Sequence, residues 1–201
     1  MFEFLSILLA VLFYGLVHSW LASLGLKAWA VRRFGAWAQR SYRFLYNLFA
    51  VVSFLPLLAL VATLPDRELY GIPHPWTFLA LLAQGLAGVI LLLGVLQTGL
   101  SSFLGLRQLY SDNQPEQSKL VVSGFYRWVR HPLYTAGLVF IWLLPLMSCN
   151  ILALNLGLTG YILIGAWLEE RKLLHEYGQE YADYARRTPM LVPDLTAWFK
   201  Q

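Results

Sequence analysis

The sequence predicts an all-α, polytopic membrane protein of about five membrane helices, followed by a C-terminal helix on the cytoplasmic side. Three observations carry that prediction. Hydrophobic residues make up 58% of the 201 residues and charged residues only 13%, against about 25% charged in a soluble domain. Apolar runs recur at the length a helix needs to cross the hydrocarbon, about 20 residues. No alternation of strand and helix patterns appears anywhere.

Three long spans read at residues 4–24, 44–64 and 78–100. A fourth apolar region, 133–168, is long enough for two crossings of about 17–18 residues. Cys149-Asn150 interrupts it and Pro145 precedes the interruption. The expectation is a tight helical hairpin, 132–147 and 151–167. The N-terminus lacks a basic segment and a small-residue cleavage site, so the first span is expected to be retained rather than cleaved.

Charge then orients the chain. Fourteen of the fifteen basic residues fall in the segments after spans one, three and five, and only Arg67 falls on the other side. The positive-inside rule places the N-terminus outside and the C-terminus in the cytoplasm. The implied location is a prokaryotic inner or plasma membrane. The whole chain reads as one membrane domain, with 1–110 on the substrate side and 111–193 holding the cofactor motifs. Residues 66–76, with Pro65, Pro73 and Pro75 in or beside them, read as a turn-rich outer connection. Residues 169–187 read as one helix, with Leu174, Tyr177, Tyr181 and Tyr184 in a single stripe and Pro189 ending it.

Several function classes are excluded. One cysteine, Cys149, permits neither an intrachain disulfide nor a cysteine-rich metal site. The four histidines lack ligand spacing, so no metal is expected. The excess of basic residues reads as membrane topology, and no nucleic-acid module is present. Gly-rich phosphate loops and nucleophile elbows are absent.

The densest polar cluster is Arg130-His131-Pro132-Leu133-Tyr134, with Gly137 one turn on. Pro132 suits the first helical position, which leaves Arg130 and His131 at a helix N-terminus that favours an anion. Gly137 would permit a close approach of ligand or helix. Glu169 and Glu170 end the last span, and adjacent helical residues point about 100° apart. One acid can therefore face the interior, where a carboxylate beside Arg130 and His131 would form a pocket for a zwitterion. A plain interfacial anchor accounts for the same residue types. His18, Asn47, Gln84 and Gln97 read as hydrogen-bonding groups between helices. Alternatively, His18 and Asn47 line a substrate pocket.

Two ordered blocks carry a resemblance: Arg130-His131-Pro132-Leu133-Tyr134-Thr135-Ala136-Gly137, and Glu169-Glu170 through Tyr177-Gly178, Tyr181 and Tyr184 to Pro189-Met190-Leu191-Val192-Pro193. Together they resemble the isoprenylcysteine carboxyl methyltransferase superfamily. His18-Ser19-Trp20-Leu21-Ala22-Ser23, Tyr42-Arg43-Phe44-Leu45-Tyr46-Asn47, 104–108 and 161–165 are similar to its methanethiol S-methyltransferase and denitrification-associated subgroup.

The resemblance implies S-adenosylmethionine as cofactor. Its contacts would be Ser118, Lys119, Leu120, Val121, Tyr126, His131, Pro132, Leu133, Tyr134 and Glu169, with Glu170 beside them. His131, Arg130 and Glu169 are the residues expected to serve the chemistry. Prenylcysteine enzymes carry an arginine four residues before the cofactor acid, whereas this chain has Gly165. That departure favours a small or lipophilic acceptor, a thiol or a carboxylate, with His18, Arg43, Asn47 and Arg107 as its candidate contacts. A membrane NADPH-dependent reductase of similar architecture and a non-catalytic binding or assembly factor are the competing readings.

Overall fold

The computed structural model describes residues 1–97, 99–110 and 120–194. Among the described residues the regular structure is helical apart from two short strands. The elements are α1 (Phe2–Leu21), α2 (Leu24–Thr63), β1 (Glu68–Gly71), α3 (Trp76–Gln97), α4 (Leu100–Leu104) and α5 (Leu106–Tyr110). A 3-10 turn (Gly124–Arg127), α6 (Pro132–Trp142), β2 (Leu146–Ser148), α7 (Cys149–Tyr177) and α8 (Gln179–Arg187) follow. Among the described residues, α1, α2, α3 and α7 are long and apolar enough to cross a membrane. Their outward faces carry the apolar side chains that lipid would cover.

The chain divides into two compact units. The first holds α1, α2, both strands, α4, α5, the end of α3 and the first ten residues of α7. Its core is Ile7 and Val11 of α1, Leu57 of α2 and Ala153 of α7, all nearly or fully buried. Close approach is written into Gly157, where an added Cβ would lie 2.8 Å from Val11 Cγ1. Small residues allow such contacts where no hydrophobic effect drives helices together. The N-terminal motif segments also meet here. Tyr42 donates to the Leu21 carbonyl at 2.6 Å, Tyr46 bonds His18 Nε2, and Ser23 caps α2 by accepting from Leu26 N–H.

Helix α2 begins twenty residues earlier than the span expected at 44–64. The basic segment after α1 is therefore helical. Gly35 interrupts it with φ 61° and ψ −142°, a conformation essentially restricted to glycine.

The hairpin expected at 132–147 and 151–167 differs in detail. Helix α6 is only 11 residues long, about 17 Å at the helical rise. Pro145 disfavours helix at Leu144 before it, so the chain extends. Leu146–Ser148 then pairs antiparallel with Glu68–Gly71 in the connection expected to be turn-rich. Asn150 lies inside α7 and is 1% exposed. Its Nδ2 donates to the carbonyls of Val61 and Leu64 at 3.2 and 3.1 Å, satisfying the end of α2. Its N–H donates to Asp66 Oδ1 at 3.0 Å. A polar residue that looks like a break is thus a cap for the neighbouring helix.

The second unit contains the start of α3, the 3-10 turn, α6, the remainder of α7 and α8. Gln84 of α3 donates to the Phe140 carbonyl of α6 at 2.9 Å, the interhelical bond expected of it. Trp142 Nε1 donates to Thr159 Oγ1 at 2.9 Å. The helix expected at 169–187 is divided at Gly178, whose φ is 55°. Tyr181 and Tyr184 of the predicted stripe are buried, whereas Leu174 is half exposed.

Two outcomes test this packing. Replacing Asn150 by Ala strands buried carbonyls and should destabilise the protein by about 1–3 kcal/mol, measured as thermal unfolding in detergent. Gly157→Ala should also lower the melting temperature, and Val11→Ala introduced alongside it should restore part of the loss. An unchanged melting temperature for Gly157→Ala would mean that the close approach does not constrain the fold.

Candidate active site

The site lies in the second unit and is organised by Arg130. Its Nε and Nη2 donate to Glu170 Oε1 and Oε2, both at 2.7 Å. This is the bidentate geometry that makes guanidinium–carboxylate pairs strong. Nη1 donates to the carbonyls of Ala185 and Thr188 at 2.8 and 2.6 Å, at the end of α8. The backbone continues the connection: Arg130 N–H donates to the Pro189 carbonyl at 2.9 Å and His131 N–H to the Met190 carbonyl at 3.1 Å. Thr135 Oγ1 donates to the Leu191 carbonyl at 2.7 Å. The segment closing the second motif block is thereby bound along the first.

His131 is the N-cap of α6, with Pro132 at the first helical position as expected. Its side chain is 5% exposed. Nε2 donates to Glu170 Oε1 at 2.9 Å, since a carboxylate can only accept. Tyr181 also donates to Glu170 Oε1, at 2.7 Å. The anion favoured by this helix N-terminus is thus supplied by the chain itself. Burial, then the bond to Glu170, pushes the Tyr181 phenol far above its ordinary range, so it stays a neutral donor. Burial likewise pushes the Tyr184 phenol up to about 12, and its hydroxyl donates to the Tyr126 carbonyl at 2.6 Å.

Glu169 is held differently. Tyr134 donates to its Oε2 at 2.8 Å, and His131 Nδ1 stands 3.7 Å from the same oxygen. Its side chain is 45% exposed, against 19% for Glu170. The His131 and Tyr134 rings stack with centroids 5.3 Å apart and planes 15° apart. Tyr126 is half-buried; burial and then the Glu169 charge raise its phenol above the ordinary range. The two adjacent acids have separate surroundings, one enclosed by donors and one open.

Of the other expected contacts, Leu120 and Leu133 are half-buried, Val121 is exposed and Pro132 is buried. Ser118 and Lys119 lie outside the described residues. A Cβ at Gly137 would meet nothing within 4 Å, so Gly137 marks no helix contact; the space at Gly165 is equally open. Among the described residues no cluster of metal-ligating side chains occurs.

The acceptor candidates belong to the first unit. His18 stacks on Tyr14 and bonds Tyr46. Tyr46 also lines an apolar groove of about 470 Å³ with Trp20, Tyr42 and Phe49. Arg43 packs its Cβ where a side chain at Gly105 would stand. Asn47 is on α2, and Arg107 is exposed on α5.

A family profile described as "Protein of unknown function (DUF1295)" matches residues 27–188. The methanethiol S-methyltransferase of Mycobacterium tuberculosis is 33% identical over 186 residues, covering 90% of this chain and 74% of the relative. That of Crocosphaera subtropica is 32% identical over 190 residues, 90% of this chain and 71% of the relative. The human protein-S-isoprenylcysteine O-methyltransferase is 33% identical over 87 residues, 41% of this chain and 30% of the relative. The chain belongs to the isoprenylcysteine carboxyl methyltransferase superfamily. Within it, the methanethiol S-methyltransferase relatives match along most of its length. No solved structure matches it. It is an integral membrane methyltransferase, and neither the reductase nor the assembly-factor reading is favoured.

The sequence left Tyr181, Thr135 and Thr188 without roles. For Tyr181 a signal existed: a buried aromatic position occupied by Tyr rather than Phe asks for a hydroxyl partner.

The unequal surroundings of the two acids predict unequal losses. Glu170→Gln leaves the Arg130 guanidinium without its counter-charge and should destabilise by about 3 kcal/mol. That corresponds to a melting temperature lower by on the order of 10 °C. Glu169→Gln should melt close to wild type. Equal melting temperatures for the two variants would contradict this division.

Proposed function

We propose that the chain methylates a thiol, with S-adenosylmethionine as methyl donor, and that Glu169 is the principal acidic contact of that cofactor. The open Glu169 carboxylate, set between Tyr134 and His131, is the observation that supports this reading most directly. When bound, S-adenosylmethionine supplies a methyl group on a positively charged sulfur.

The donor set suits such a molecule. Oε1 of Glu169 is available to accept from an ammonium or hydroxyl group, while Tyr134 fixes the rotamer through Oε2. The Tyr126 ring stands within electrostatic reach of Glu169 and offers a face for stacking. Arg130 and Glu170 are framework rather than contact residues in this proposal, because their donors and acceptors are engaged with one another and with α8. His131 is a positioning residue: Nε2 is committed to Glu170, and its ring supports Tyr134.

For the acceptor, the relatives that match along most of the chain are methanethiol S-methyltransferases, which supports a thiol. Gly165 adds to that support. It lies one turn before Glu169 on the same face of α7, and open space replaces the side chain that prenylcysteine enzymes place there. A thiol reacts as thiolate, so methyl transfer should rise with pH until the bound thiol is ionised. Holding the sulfur and the methyl about 3–3.5 Å apart would supply much of the acceleration. His18, Arg43, Asn47 and Arg107 are proposed as acceptor contacts.

Calorimetric titration with S-adenosylmethionine tests the cofactor assignment. Glu169→Ala should weaken binding at least 10-fold, about 1.4 kcal/mol, in a protein that melts normally. Wild-type affinity in that variant would remove Glu169 from the cofactor site. Methyl transfer from labelled cofactor to methanethiol, longer alkyl thiols and lipophilic carboxylates then ranks the acceptors.

A further inference from the structure

A cavity in the same unit is lined by none of the cofactor contacts proposed above. It measures about 720 Å³ and opens between the 3-10 turn before α6 and the C-terminal end of α8. Arg127, Arg130, Arg186 and Arg187 line it, with Trp128 in its wall and Asp194 as the acidic residue of the lining. Arg130 is neutralised by Glu170, and Arg186 is paired with Asp183. Arg187 spends its Nε on a backbone carbonyl, that of Asp183, at 3.1 Å. Among the described residues neither Arg127 nor Arg187 makes an ion pair with a carboxylate, and Asp183, whose carboxyl the Arg187 charge helps to hold low, is already bonded by Arg186.

The height of this cavity relative to the bilayer can be read along α7. Apolar, exposed side chains run along α7 to Trp167 and Leu168, and Glu169, Glu170, Arg171 and Lys172 follow at once. The Arg171 guanidinium stands over the Trp167 ring, 4.8 Å from its centroid. An exposed tryptophan under an arginine is typical of the membrane–water interface. Glu170 is at that level, and Arg130, bonded to it at 2.7 Å, is therefore at that level too. The cavity that Arg130 lines opens where lipid phosphates lie. On the segment leading to Arg130, Val121, Val122, Phe125 and the lining residue Trp128 expose apolar surface.

We infer that this cavity is a binding site for an anionic glycerophospholipid. Arg127 and Arg187 would hold the phosphate, guanidinium being suited to bidentate contact with its oxygens. Trp128 would pack against the glycerol and the first acyl carbons. The inference is independent of which cofactor and acceptor the enzyme uses.

The test uses the full-length protein in dodecylmaltoside, titrated with dioleoyl-phosphatidylglycerol or dioleoyl-phosphatidylcholine and read by native mass spectrometry. Each arginine near an anionic surface contributes about five-fold, so Arg127→Gln/Arg187→Gln should bind phosphatidylglycerol roughly 25-fold more weakly. Phosphatidylcholine, whose choline offsets its phosphate charge, should bind the wild type more weakly than phosphatidylglycerol and lose less in the variant. S-adenosylmethionine affinity should also be unchanged in that variant. Equal phosphatidylglycerol affinity in variant and wild type would overturn the inference. So would inorganic phosphate competing at concentrations equal to the lipid, which would make this a free-phosphate site. Displacement of the lipid by S-adenosylmethionine would assign the cavity to the cofactor instead. Should the variant not fold, a diazirine-labelled phosphatidylglycerol crosslinked to the wild type decides the matter. Label on peptides containing Arg127 or Arg187 supports the site, and label confined to other peptides refutes it.

Discussion

The bidentate pair between Arg130 and Glu170 is the constraint on which the active-site unit rests. One guanidinium draws together the end of α7, the carbonyls closing α8 and the segment that enters α6. Each group would be costly alone. A carboxylate at the membrane boundary, a buried cation and the open end of a helix all need partners. Here each supplies what another lacks, with His131 and Tyr181 completing the Glu170 shell.

This arrangement explains how two consecutive acids serve different ends. Rotation by about 100° per residue on α7 turns Glu170 into the donors and leaves Glu169 beside Tyr134 and open space. The framework acid holds α6 in place, and α6 carries Tyr134 to the open acid, Glu169. Binding residues on fixed helices gain their accuracy from such a supporting layer. The same logic accounts for the distance in sequence between the motif blocks, since the supporting bonds are made between them.

Much of this was legible in the residues, and the failures have physical causes. The long spans follow from hydropathy, and all four long apolar helices of the structure were anticipated. The first position of α6 was readable from Pro132, and the opposed facing of Glu169 and Glu170 from helical geometry. Composition and periodicity could not say which acid faces Arg130, because that depends on the rotation of α7 against segments remote in sequence. The short α6 and the pairing of Glu68–Gly71 with Leu146–Ser148 were missed for a similar reason. An apolar run has the same hydropathy whether it stays helical or extends after a proline. Asn150 was misleading since its partners, the last carbonyls of α2, lie more than eighty residues away. The division at Gly178 was hidden by a stripe whose spacing suits one unbroken helix.

That division at Gly178 governs how α8 folds back onto the end of α7. Eleven residues separate Glu170 from Tyr181, about 17 Å along a straight helix, beyond the reach of a phenol. The corner at Gly178 folds α8 back so that the hydroxyl arrives 2.7 Å from the carboxylate. The stretch from Glu170 to Gly178 therefore acts as a ruler. One residue more or fewer would swing the corner by about 100° around α7 and aim α8 away from Arg130. Chain length in this stretch is as tightly specified as the identity of any side chain in the site.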